Sequence, residues 1–336
     1  MNTTWTKLSK EKKIETLSKV SDSTKLSEYI IEKDWWVTLA LKAAFSTSCK
    51  ENMIFKGGTS LSKGYDLIER FSEDVDLAID REFFGFDDAI SKNQIKRTLR
   101  KQSCNFISTT FLEEMKNIFE QWNVLQECEI IAQPIKDSDK DPQTIEIHYN
   151  SVFSTTNYVA QKVLIEISCR SLTEPAEKRP INSILSNEFP ALSFSNEAFD
   201  INTTLPKKTF LEKIFLLHEK FANPSTEYKD RYSRHLYDLI QLMDTKHGRD
   251  ALQDTELYKT IITHREKFNP IRGFDYSANI YLPSKINIIP SSSHLKDYEK
   301  DYEQMRKSMI YGNPPNFKKL MDKIKELQQQ INLIQL

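Results

Sequence analysis

Glycine is scarce in this chain, seven among 336 residues, and two of the seven stand side by side at Gly57-Gly58. Adjacent glycines in so poor a background point to a special backbone there. Cysteine is rare too, at Cys49, Cys104, Cys128 and Cys169, with no CxxC pair and no Cys/His cluster of ligand type. The four read as reduced, mostly buried thiols of a cytoplasmic protein. No apolar run reaches the ~20 residues that span a bilayer. Met1 to Lys7 lacks the apolar core of a signal peptide, so a soluble, intracellular chain without a membrane partner is expected. The formal net charge of −1 argues against a protein that simply coats nucleic acid. It leaves room for a local basic surface, because 47 Lys and Arg are spread unevenly. No Ser/His/Asp triad or cysteine nucleophile is legible. His218-Glu219 is not a zincin motif, because Ala222 stands where the second histidine would be.

What is present is enough for sizeable cores. Hydrophobic residues make up 39% of the chain, and its length suits two domains. Lys7 to Ser46 reads as helical, with aromatic and aliphatic residues clustered around Trp35 and Trp36 as core packing. Met53-Ile54-Phe55 is a short apolar run ending at Gly57-Gly58, after which Thr59 is placed to cap a helix through Leu61, Tyr65, Leu67 and Ile68. Asp74-Val75-Asp76-Leu77-Ala78-Ile79 alternates strictly and predicts a strand with Val75, Leu77 and Ile79 on one face and the two aspartates on the other. Ser91 to Asn123 reads as helix, opening with Lys92, Lys96, Arg97, Arg100 and Lys101. That cluster suits either an RNA contact or a solvated helix face. Further strands are expected near 128–131, 144–149 and 163–168, with an exposed turn over 136–142. From about Thr204 the chain turns helical, with a break at Tyr311-Gly312-Asn313-Pro314-Pro315. The reading is an α/β (α+β) architecture. A mixed-sheet domain over 1–200, made of N-terminal helices 1–50 and a sheet core 51–200, precedes a helical domain over 201–336.

Chemistry concentrates around the glycine pair and the aspartates. Two glycines let backbone approach a ligand closely, and the N–H groups at the start of the next helix favour phosphate. Lys63, a turn beyond Thr59, is within reach of the same anion. Asp74 and Asp76 on one strand face repel each other unless a cation joins them. Magnesium takes carboxylate oxygens together with substrate phosphates. Phosphoryl-type transfer needs such positioning and charge neutralisation more than a covalent catalyst. Glu166, inside the apolar run Val163 to Ser168, is a candidate third carboxylate. Each feature alone has a plainer reading as a turn, a solvated strand edge or a paired core charge. Their order and spacing together are far more specific.

That order resembles the AbiEii/AbiGii toxin nucleotidyltransferases of the DNA polymerase β-like superfamily. Gly57-Gly58-Thr59-Ser60-Leu61-Ser62-Lys63, followed by Arg70-Phe71-Ser72-Glu73-Asp74-Val75-Asp76, looks like the family's first motif. Glu32-Lys33-Asp34-Trp35 resembles its N-terminal helix signature, and Leu164-Ile165-Glu166-Ile167 its second motif. Lys213 and Asp238 stand where its third and fourth motifs place a lysine and an aspartate. The resemblance implies an NTP substrate and Mg2+, with Asp74, Asp76 and Glu166 as metal ligands. It implies that Gly57, Gly58, Thr59, Lys63 and Ser72 grip the triphosphate. Lys213 would neutralise phosphate, and Asp238 would orient Lys213 or act on the acceptor, in a site that the helical domain completes. The implied acceptor is RNA, the 3′ end of tRNA above all, in a toxin–antitoxin or abortive phage infection system with a DNA-binding repressor as antitoxin. A small-molecule nucleotidyltransferase of the antibiotic-modifying sort shares the carboxylates and stays open. So does a non-catalytic nucleotide- or RNA-binding regulator, although a silent site has no need of paired carboxylates.

Overall fold

The computed structural model describes residues 1–134, 142–153, 161–222, 231–271, 274, 276 and 280–336. The exposed turn expected over 136–142 therefore lies, except for Pro142, outside the described residues. The chain divides into two compact units. One comprises 1–65 and 71–204, the other Asp66–Arg70 and Leu205–Leu336.

The first unit is built on a seven-stranded mixed sheet, with β1 (Met53–Lys56), β2 (Asp74–Ile79), β3 (Cys128–Ala132), β4 (Gln143–Tyr149), β5 (Lys162–Ser168), β6 (Ala176–Ile181) and β7 (Phe199–Thr204). The strand order is β3-β4-β5-β2-β1-β7-β6. Strand β2 runs antiparallel to β1 and parallel to β5. Alternation decides the faces: Val75, Leu77, Ile145, Ile147, Ile165 and Ile167 are fully buried on one side, while Asp74, Asp76, Leu164 and Glu166 on the other are only part-buried. The apolar side packs on α2 (Glu28–Ala44), which is buried nearly all round. Trp36 of α2 stacks on Tyr149 of β4 at 5.1 Å. Helix α1 (Lys10–Thr24) packs on α2 in turn.

Two expectations differ from what is observed. Strands β6 and β7 were not legible in the sequence; Ala176–Ile181, with the run Glu177-Lys178-Arg179-Pro180, forms an exposed edge strand without an apolar alternation to announce it. Helix α3 starts at Gly57, two residues before the expected cap at Thr59, and ends at Lys63 rather than reaching Ile68. The segment expected to carry it onward, Asp66–Arg70, belongs to the second unit.

The second unit is helical: Pro206–Phe221, Ser233–Met243, Lys246–Gln253, Thr255–Phe268, Leu295–Ser308 and Phe317–Asn332. Proline opens the first of these at the position where its missing N–H is not needed. Leu320, Ile324, Leu327 and Ile331 give the last helix one fully buried stripe. Asp66–Arg70 is stitched into this unit by a bridge between Arg70 and Ile310 and by Tyr311 N donating to Glu69 O at 3.0 Å. His218 and Glu219 are internal struts. His218 Nδ1 accepts from Asn287 N at 3.1 Å, and Glu219 pairs with Arg265 and accepts from the Tyr281 hydroxyl. Burial holds His218 below the usual histidine range, so the ring is neutral in this role. Cys49, Cys104, Cys128 and Cys169 are all free thiols. Among the described residues, no helix is long and apolar enough to cross a membrane.

Candidate active site

The parallel pairing of β2 with β5 puts Asp76 opposite Glu166 and Asp74 opposite Leu164. Paired residues share a face, so Asp74, Asp76 and Glu166 rise from the same open side of the sheet, on strands about 4.8 Å apart. The antiparallel pairing with β1 puts Lys56 opposite Asp76, so the turn into α3 passes directly over this end of β2. Gly57 occupies that turn in the left-handed region, φ +78°, where a side chain is strained. There is also no room for one, because a Cβ on Gly57 would lie 2.7 Å from Asp76 Cγ. The first glycine of the pair is thus required twice, by its backbone and by the carboxylate against it.

The remaining residues of the loop hold it together. Thr59 is buried, and its hydroxyl donates to the Asp74 carbonyl and, at 3.3 Å, to the Ser72 carbonyl. Ser60 Oγ donates to Gly57 O at 2.9 Å. Lys63 was expected to reach the phosphate, yet its ammonium is inside, paired with Asp34 of α2 at 2.5 Å. The structure therefore gives the hydroxyl of Thr59 and the charge of Lys63 internal partners. The backbone of Gly57 and Gly58 stands at the start of α3, where N–H groups have no helical acceptor. Glu73, next to Asp74, is paired with Lys33 of α2 at 2.9 Å with both side chains buried.

The donor set of Asp74, Asp76 and Glu166 is all oxygen, which is what magnesium takes. Among the described residues, no group of three or more His, Cys, Asp or Glu side chains is gathered into a ready metal cage. These observations are compatible: magnesium is commonly held by one or two carboxylates plus substrate phosphates, so a preformed cage is not what its chemistry asks for.

Lys213 and Asp238 lie together in the second unit, with a residue to which the sequence reading gave no role. Asp238 is fully buried and takes a bidentate pair from Arg70, both contacts 2.7 Å, while Lys213 Nζ sits 3.0 Å from Oδ2, the oxygen that also accepts from Arg70 Nη2. Burial opposes the Asp238 charge, but the Arg70 guanidinium and the Lys213 ammonium together hold its carboxyl well below the usual range. Burial pushes Lys213 down, against the pull of Asp238. His235 Nδ1 is 3.4 Å from Lys213 Nζ, and burial and that cation drive its pKa far down, so it is neutral. Two cations on one carboxylate, with Arg234 adding its field, leave the cluster a surplus of positive charge. Arg70 stands inside the first motif, but nothing in the sequence announces a partner 168 residues away.

The basic opening of the long helix over 92–121 belongs to the other end of the sheet. Ser103 meets Cys169, one residue past the end of β5, at 2.9 Å, and Phe106 packs on Phe83 beyond the end of β2. Asp74 stands at the beginning of β2. Lys92, Lys96, Arg97 and Lys101 are exposed.

No curated protein sequence matches the chain. Among solved structures, the chain is similar to MenT4, a nucleotidyltransferase toxin from Mycobacterium tuberculosis H37Rv, at 12% identity over 90% of this chain and 94% of that one, with a TM-score of 0.40. The model of the AbiEii nucleotidyl transferase toxins of type IV toxin–antitoxin systems matches residues 40–325, which include the glycine pair, all three carboxylates, Lys213 and Asp238. With that match over most of its length, the chain belongs to the AbiEii family and is a nucleotidyltransferase toxin, a protein that uses NTP and is paired with a cognate antitoxin.

Proposed function

We propose that this toxin transfers a nucleotide from a magnesium-bound NTP to a terminal hydroxyl of RNA, with the 3′ end of tRNA as acceptor. The observation that carries the reading is the register that sets Asp74, Asp76 and Glu166 on one open face, with Gly57 pressed on the Asp76 carboxylate. Asp74 and Asp76 would hold Mg2+, which when bound neutralises the phosphate charge that builds during in-line displacement. The backbone N–H groups of Gly57 and Gly58, with Ser72, grip the triphosphate. Thr59 and Lys63 serve by fixing the loop, as their internal partners imply. The acceptor oxygen bonds to the α-phosphorus as the bond to pyrophosphate breaks, and Glu166 receives the hydroxyl proton. Lys213 keeps its implied role as a cation for phosphate, oriented by Asp238. Addition at the 3′ end would block aminoacylation and arrest growth, which suits a toxin of abortive phage infection. The antitoxin would be a DNA-binding repressor.

The test is a labelling assay. Purified protein is incubated with total tRNA, Mg2+ and each α-labelled NTP in turn, beside Asp76→Ala. Label on tRNA with wild type but not the variant is expected, and the NTP that works names the nucleotide. Equal labelling by both proteins would remove Asp76 from the chemistry. A wild-type protein that labels other RNA but never tRNA would overturn the acceptor.

A further inference from the structure

Helix α2 carries Glu32, Lys33 and Asp34 in succession, at 2%, 2% and 4% exposure. Consecutive helical residues point about 100° apart, so the three cannot share a partner and each must find its own. Glu32 accepts from Ser151 Oγ at 2.5 Å and Val152 N at 3.0 Å. Lys33 pairs with Glu73, and Asp34 takes both Lys63 and, at 2.7 Å, the backbone N–H of Ile184.

Stability does not account for this arrangement. A buried ion pair is commonly no better than apolar residues of the same volume. What it adds is direction, because charge-assisted hydrogen bonds hold their partners at fixed angles as well as fixed distances. The partners here are the segments that present the carboxylates and the glycine pair. Glu73 is peptide-bonded to Asp74. Lys63 closes the helix that Gly57 opens. Ser151 and Val152 follow β4, whose Thr144 lies opposite Glu166.

We propose that Lys33 and Asp34 are positioning residues for nucleotidyl transfer, Lys33 aiming Asp74 through Glu73 and Asp34 setting the Gly57-Gly58 turn through Lys63. The proposal rests on the reading of Asp74 and Asp76 as metal ligands. It assigns the buried charges of α2 to the alignment of the site, not to the stability of the unit.

The decisive variant is Lys33→Met/Glu73→Met, which removes both charges and keeps similar volume. Three readouts are taken on the full chain: thermal midpoint, Mn2+ binding by electron paramagnetic resonance, and the rate of label transfer. A merely structural pair predicts that the folded double variant binds Mn2+ and transfers label as wild type does, whatever its midpoint. The positioning role predicts a wild-type midpoint, Mn2+ binding weakened about 10-fold or more, and transfer slowed about 100-fold, the scale of a small misplacement of reacting groups. Lys33→Arg, which keeps the pair, should restore most of both. Asp34→Asn provides a second arm should the double variant not fold: the Ile184 N–H keeps its acceptor while Lys63 loses its counter-charge. Its KM for NTP should rise about 10-fold, whereas an unchanged KM and kcat would overturn the role of Asp34. Wild-type Mn2+ binding, compared with Asp76→Ala, separates the two readings. Binding that is absent from wild type, or equal in both, sinks the metal assignment and this proposal with it. Binding lost only in Asp76→Ala, beside a fully active Lys33→Met/Glu73→Met, sinks this proposal alone.

Discussion

Replacing Gly57 by alanine should separate backbone strain from damage to the site, because Gly85 provides the control. Both glycines have φ +78°, so an added Cβ meets the same left-handed strain in each, about 1–2 kcal/mol. Around Gly85 a Cβ would meet nothing within 4 Å. At Gly57 it would meet Asp76 Cγ at 2.7 Å and Asp76 Cβ at 3.0 Å. An ordinary contact between such atoms is about 3.5 Å or more, so the carboxylate or the turn must move by about 1 Å. A misplacement of that size is worth about 100-fold in rate, or about 2.7 kcal/mol of transition-state stabilisation. Gly85→Ala should therefore lose on the order of 1–2 kcal/mol by urea unfolding and Gly57→Ala at least as much, while only Gly57→Ala loses transfer of label to RNA. Weakened Mn2+ binding in Gly57→Ala should accompany the lost rate, since the displaced group is Asp76. The reasoning fails if Gly57→Ala keeps its wild-type rate, or if Gly85→Ala slows transfer as much.

Other expectations follow from the buried charges of the second unit. Arg70→Met strips Asp238 of its bidentate partner and should destabilise the protein by about 3–5 kcal/mol in urea, far more than an exposed Arg→Met at Arg97. Asp238 has a depressed pKa in the folded state, so the stability it contributes is present above the unfolded value of about 3.9 and fades as pH falls below it. Asp238→Asn should be less stable at pH 7 yet lose less further stability below pH 4, and an acid unfolding series on both proteins checks this. His235 also has a depressed pKa, so its contribution is present above about pH 6.5 and is lost as the medium turns acid and the unfolded state alone takes the proton. His235→Gln should flatten the decline of stability between about pH 6.5 and 5, and a His235 ring resonance that titrates near 6.5 in the folded protein would contradict the burial argument.

Strand β2 and its two-faced pattern were legible because alternation is a local property: Val75, Leu77 and Ile79 are apolar and the residues between them are acidic, whatever surrounds them. The glycine pair was legible for the same reason, since a left-handed turn tolerates little else. The family could be recognised from the order of these signals. Residues 176–181 were not legible as a strand, because an exposed edge strand has no buried face to impose a period. Thr59 was misjudged as a helix cap because its hydroxyl finds its acceptor at Asp74, across a turn whose path the local sequence does not reveal.

The chain alone determined where the candidate site falls, because backbone freedom, strand alternation and carboxylate spacing are written within a few positions of one another. Tertiary structure decided which of the charged residues are committed to other charges. Lys63 reads as a phosphate ligand until Asp34 takes it. Arg70 reads only as a member of the first motif until Asp238 is found against it. Glu32-Lys33-Asp34 reads only as part of a helix signature until each finds a separate partner. Such pairs join residues tens to more than a hundred positions apart, and the energy that fixes them depends on burial and direction, which exist only after the chain has folded.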